Sequence, residues 1–152
     1  IPHFKSGMEA AQRGHFAKAA PAFEKAARLD RSSALYAFHA GLCYEKMGSP
    51  QEAIPLLKRA VALCRATPQY HYELAKCYYM AGGYERKAES ELKRAVKWYP
   101  KSTFYRVELA KFYEIVGQKG KALVEYLKIY NLDPSNRAAR DKIDELKTDA
   151  GE

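Results

Sequence analysis

Four histidines, three cysteines and a repeated Glu-Leu-Ala-Lys string are the residues whose types could carry chemistry. His3, His15, His39 and His71 would suit metal ligation or proton transfer, but none sits in an HExxH or other paired ligand spacing. Cys43, Cys64 and Cys77 form no CxxC pair, and an odd count fits free thiols of a reducing compartment better than a disulfide framework. All three are expected to be buried and inert. There is no glycine-rich phosphate loop and no nucleophile in an elbow sequence. The pattern predicts no catalytic residue, no metal and no cofactor. The ELAK string at Glu73 to Lys76 returns at Glu108 to Lys111, 35 residues on. Within each copy Glu and Lys lie three apart, the spacing of a local helical ion pair worth a few tenths of a kcal/mol.

A chain of 152 residues is long enough to bury a core without help from disulfides or metal, and its composition is that of a soluble globular protein. It is expected to form one domain, 1–152. No apolar run reaches the roughly 20 residues of a transmembrane helix. Together with the free thiols this favours a cytoplasmic setting, although Ile1 in place of a first Met is what an excised domain or processed product would show. The formal charge of +8 points to an acidic partner or surface without assigning a function.

Glycines recur at Gly14, Gly48, Gly82 and Gly117, in steps of 34, 34 and 35. Other columns keep the same step: Gly7, Gly41, Ala75 and Ala110; Ala19, Ala53, Ala88 and Ala122; Phe23, Leu57, Leu92 and Tyr126; Ala26, Ala60, Ala95 and Ile129. Apolar spacing between these markers is helical, as in Leu74 and Tyr78 before one glycine and Ala88, Leu92 and Ala95 after it. Each unit reads helix, tight turn, helix, the glycine supplying positive φ at the first helix's end. Helices are expected near 2–13, 17–29, 34–46, 50–63, 68–81, 85–98, 103–116 and 119–132, then a ninth capped by Ser135 with Ala139, Ile143 and Leu146 as its apolar stripe. One residue inserted within "GGYERKAE" is expected to loosen the third turn. His3, Ser6 and Ala10 make the first unit look weakly packed.

On these columns the chain resembles the tetratricopeptide repeat (TPR). Gly41 and Tyr44, Leu74, Ala75 and Tyr78, and Leu109, Ala110 and Tyr113 match its first helix, while "AKAAPAFEKAARLD", "QEAIPLLKRAVAL", "RKAESELKRAVKWYP" and "KALVEYLKIYNLDP" match its second. The family's tryptophan column holds His3, Ala37, His71 and Arg106 instead, and its terminal proline is Arg31 and Arg65 in the first two units. The resemblance implies an all-α, right-handed α-solenoid of four repeats, near 1–33, 34–67, 68–102 and 103–136, with a capping helix near 136–147.

By the same resemblance the first helices line a concave groove for a partner peptide or helix, through Phe4, Met8, Leu35, Phe38, His39, Leu42, Tyr72, Glu73, Lys76, Tyr79, Met80, Phe104, Glu108 and Lys111. Phe38, Leu42, Tyr72, Tyr79 and Phe104 would supply apolar contact, with Lys76 and Lys111 pairing acidic groups at the rim. Alternatively, part of this set packs between neighbouring first helices. The basic and asparagine-rich set with which some relatives clamp a chaperone's C-terminal carboxylate is absent, its places taken by Phe4, Met8, His39, Gln69 and Glu73. No binding of such tails is therefore expected. A second reading places nucleic acid or an anionic surface on the convex helices, where "LKRAV" recurs with Lys58, Arg59, Lys93 and Arg94, near Lys97 and Lys101. Glu52, Glu85, Glu89, Glu91 and Glu125 interrupt those faces, so nucleic acid is the weaker expectation. A third reading is self-association, one copy's groove taking the terminal helix of another.

Overall fold

Apolar residues at helical spacing, interrupted every half-repeat by a turn residue, produce helices and no strands among the described residues. The computed structural model describes residues 1–151, in side chain as well as backbone except at Ala150. The helices are α1 (Pro2–Gln12), α2 (Phe16–Leu29), α3 (Ala34–Lys46), α4 (Pro50–Leu63), α5 (Pro68–Ala81), α6 (Glu85–Trp98), α7 (Thr103–Ile115), α8 (Lys119–Leu132) and α9 (Arg137–Ala150). They fall into two compact units, Ile1–Glu91 and Leu92–Glu152, with α6 running through the division.

The turns explain the repeat. Gly14, Gly48 and Gly117 have φ of 75°, 73° and 79°, a region in which a side chain would strain the backbone. The residue after each reaches back over the helix end: the N–H groups of His15, Ser49 and Gln118 donate to the carbonyls of Ala10, Tyr44 and Tyr113 at 2.9, 2.9 and 2.7 Å. This closes carbonyls that the helix leaves open. The third repeat, with one residue inserted, turns on two glycines. Gly82 and Gly83 both take φ of 74°, and α6 begins on schedule at Glu85.

Within each helix pair, close approach depends on the small-residue column. A Cβ on Gly7 would lie 2.8 Å from the Phe23 ring, and one on Gly41 would lie 2.7 Å from Leu57 Cγ and 3.3 Å from the Ala53 carbonyl. The first repeat is better packed than its sequence suggests. Phe4, Met8, Ala10 and Ala11 rest on a buried cluster of Ala19, Ala20, Phe23, Ala40 and Cys43.

Two details correct the sequence reading. Asn136, not Ser135, caps α9, its side chain accepting from the Ala139 N–H at 3.0 Å, while Ser135 donates to Asp133. Ala139, Ile143 and Leu146 are buried as expected. Of the three free thiols, Cys64 is exposed. Burial pushes Cys43 and Cys77 up to about 11 and about 12, which suits inert thiols.

Gly41→Ala should therefore destabilise the protein by about 1 kcal/mol despite alanine's better helix propensity. The same change in a Leu57→Ala background should cost little, because the clashing atoms are gone. Urea melts of the four combinations test this, and a purely additive cycle would contradict the steric account.

Candidate functional site

In the unit 1–91 the first helices α1, α3 and α5 meet edge to edge through rings and charges. Phe4 on α1 sits 4.8 Å from the Tyr36 ring and 5.5 Å from His39, both on α3. His39 in turn stacks 5.2 Å from Phe23 of α2. Burial alone holds the His39 imidazole below its ordinary value, so at neutral pH it serves as a neutral aromatic slab. Phe38 stacks on Tyr70 of α5 at 4.6 Å and retains only 4% of its surface. This places Phe38, expected as a groove contact, in the α3–α5 joint.

The next joint along the same helices is ionic. Lys76 Nζ lies 2.7 Å from Glu73 Oε2 within α5 and 3.1 Å from Glu45 Oε1 on α3, and it also covers the Tyr72 ring at 5.1 Å from the centroid. Burial disfavours the ammonium, but its hydrogen bonds and attraction to Glu73 and then Glu45 outweigh this and hold the lysine above its ordinary value. The expected Glu73–Lys76 pair is thus present, and Glu73 is buried. Glu45 is a partner that the sequence reading missed. It lies 31 residues from Lys76, and only the packing of neighbouring repeats brings it there.

What remains open on this face is apolar. Tyr79 and Met80 on α5 are each 45% exposed, Leu35 on α3 is similarly exposed, and Leu42, Tyr72 and Met8 are half-buried. In the unit 92–152, Phe104 is exposed, and Lys111 pairs with Glu108 at 3.3 Å in the open. The second copy of the ELAK string therefore makes the local pair expected from its three-residue spacing.

The tryptophan column becomes polar and internal. His71 is buried, with Nδ1 2.6 Å from Glu91 Oε2 and Nε2 2.7 Å from the Arg65 carbonyl. A carbonyl only accepts, so Nε2 carries a proton. Arg106 repeats the arrangement, donating to Glu125 at 3.2 Å and to the Pro100 carbonyl at 3.2 Å. Each base is held by a carboxylate of the following helix and by a carbonyl six residues earlier. His71 is thus a packing residue and lies off the open face. Among the described residues no group of three or more His, Cys, Asp or Glu could hold a metal ion. No described helix is long and apolar enough to cross a membrane.

Arg59, expected on a basic outer face, donates to the carbonyls of Ala27 and Arg31 at 2.8 and 2.9 Å, closing the end of α2. Tyr126 donates to Glu114 at 2.7 Å, and Lys142 of α9 joins the same carboxylate at 2.9 Å, fixing the last helix to α7.

A lysine held above its ordinary value contributes stability that is complete below the unfolded value, about 10.4, and is lost as pH rises through the folded one. Lys76→Met, which leaves Glu45 and Glu73 facing each other, should cost about 2 kcal/mol at neutral pH after allowance for partial exposure. The deficit should stay constant to about pH 10 and shrink above it. Denaturation of both proteins across that range tests this, and equal stability at neutral pH would refute the bridge.

Residues 4–70 match the family model of the tetratricopeptide repeat. No curated protein matches the chain by sequence. Among solved structures, a crystal structure of MamA is similar over 95% of this chain and 84% of that one, at 24% identity and a TM-score of 0.83. TTC0263, a thermophilic TPR protein of Thermus thermophilus, is similar over 99% and 82%, at 19% identity and a TM-score of 0.69. The first TPR of Spaghetti (RPAP3), bound to the HSP90 peptide SRMEEVD, is similar over 78% and 96%, at 20% identity and a TM-score of 0.64. At these identities the structural likeness speaks to the fold. The repeat family is thus matched over residues 4–70, and the likeness to these solved structures carries the same helical-repeat fold over nearly the whole chain.

Proposed function

We propose that the protein is a non-enzymatic interaction scaffold whose first-helix face in residues 1–91 takes an apolar segment of a partner protein, a peptide or a helix. The observation that carries this reading is the exposure of Tyr79 and Met80 on one turn of α5, on the face that also bears half-buried Tyr72 and exposed Leu35. Aromatic and Met side chains left open together are the usual anchors of an interface, each worth about 2 kcal/mol or more once buried at its centre. The four repeats and the capping helix would act as one domain, and the free thiols support a reducing, cytoplasm-like compartment.

The engagement of Lys76 revises the charge preference of the site. Its ammonium already faces two carboxylates, so an acidic partner would have to displace Glu45 and Glu73. The positions held by Phe4, Met8, His39 and Gln69 offer no cation in its place. Although the Spaghetti domain is bound to SRMEEVD, this chain should show no low-micromolar binding of that peptide in calorimetry; a tight, stoichiometric isotherm would overturn this charge argument.

Phe38 is unsuitable for testing the face because its loss would open the α3–α5 joint. Tyr79 and Met80 are each 45% exposed, so Tyr79→Ala with Met80→Ala disturbs the packing far less than loss of the buried Phe38 would. The double variant should keep the helical circular dichroism and melting temperature of the parent while losing capture of its partner from native extract by about tenfold or more. Undiminished capture would refute the assignment to this face.

A further inference from the structure

Residues 92–107 contain five basic side chains, Lys93, Arg94, Lys97, Lys101 and Arg106, and no acidic one. Arg106 is turned inward to Glu125, whereas the other four are exposed. At 3.6 residues per turn, Lys93, Lys97, Arg94 and Trp98 follow one another across about 140° of α6. Leu92, Ala95 and Val96 occupy its buried side. From Lys97 to Lys101 five consecutive residues are exposed, Trp98 at 46% and Tyr99 at 60%.

The corresponding turns of the first and last repeats show what the fold itself needs there. Asp30 accepts from the N–H and hydroxyl of Ser32 at 3.0 and 2.6 Å, and Asp133 accepts from those of Ser135 at 3.1 and 2.6 Å. In the third repeat Tyr99 stands in the aspartate column and Lys101 in the serine column. The self-bonded turn is replaced by two open aromatic rings between lysines. The large apolar residue before them is leucine in the other three repeats, Leu29, Leu63 and Leu132, and tryptophan only here.

We infer that this turn, with the outer arc of α6, docks on an anionic phospholipid surface. Trp and Tyr rings have an apolar body and a polar tip and favour the headgroup region of a bilayer. Lysines beside them meet the lipid phosphates, each adding about fivefold to partition on an anionic leaflet. Single-stranded nucleic acid is the competing polyanion, but it calls for aromatics interleaved with cations along a groove that follows the strand. Here both aromatics lie together at one end of the basic arc, on the tip of a turn, which fits a plane better than a strand. The inference does not rest on the first-helix face of residues 1–91.

Trp98 is the only tryptophan of the chain, so its emission reports the contact directly. The full chain is mixed with phosphatidylcholine vesicles, with and without phosphatidylserine, and separately with an oligothymidylate strand. Expected are a blue shift and co-sedimentation with the phosphatidylserine vesicles only, both reversed by high salt. Lys97→Ala with Lys101→Ala should reduce co-sedimentation by about tenfold or more, and Trp98→Ala with Tyr99→Ala should abolish it, all at unchanged circular dichroism. Absence of binding to phosphatidylserine vesicles at low salt, equal binding to neutral vesicles, or undiminished binding by either variant would overturn the inference. Capture of the oligothymidylate in preference to the vesicles would overturn it in favour of nucleic acid.

Discussion

Close approach of two helices at a short side chain is the constraint on which the rest of this structure depends. Where Gly7 faces Phe23 and Gly41 faces Leu57, there is no room for even a Cβ without movement of a buried side chain. Interiors are packed too densely to absorb such an intrusion without cost. The contact sets the separation of each helix pair, and the positive-φ glycine sets the angle at which the second helix leaves. Within residues 1–91 they bring the first helices α1, α3 and α5 side by side, so groups far apart in sequence come together. The face proposed for a partner is a consequence of that spacing, not an independent element.

The polar interior is the second recurring device. Where related repeats carry tryptophan, His71 and Arg106 instead bridge a carboxylate on the next helix and a carbonyl at the turn before their own. Burying a polar side chain is tolerable when it is hydrogen-bonded, and each of these two reaches both a carboxylate and a carbonyl. Unlike an apolar ring, these pairs also fix direction, because each donor must meet a particular oxygen. Arg59 does comparable work at the end of α2. Part of the chain's positive charge, Arg59 and Arg106, therefore belongs to the architecture.

The two copies of the ELAK string show how context divides one sequence into two roles. Leu74 and Ala75, like Leu109 and Ala110, are buried in both. The flanking charges differ. Glu108 and Lys111 form a solvent-exposed local pair, whereas Glu73 is buried and Lys76 is shared with Glu45 from the preceding repeat. A cation held this way is a structural tie between neighbouring repeats.

The sequence by itself determined the number and order of the helices, because helical periodicity and positive-φ glycine are local properties that each short stretch carries on its own. The limits expected for the first eight helices agree with the structure to within one residue, whereas the capping helix runs three residues past its expected end. It also determined the local ion pairs, set by a three-residue spacing on one helix. The tertiary structure alone decided which side chains of a shared face remain open. Phe38 and Tyr79 both lie on first helices and are both aromatic, yet Phe38, stacked on Tyr70, keeps 4% of its surface and Tyr79 keeps 45%. Likewise, nothing along the chain links Glu45 to Lys76 or Arg59 to the carbonyl of Ala27. Those contacts exist because neighbouring helices pack at a fixed distance, and burial and pairing are properties of that packing, not of any single stretch of sequence.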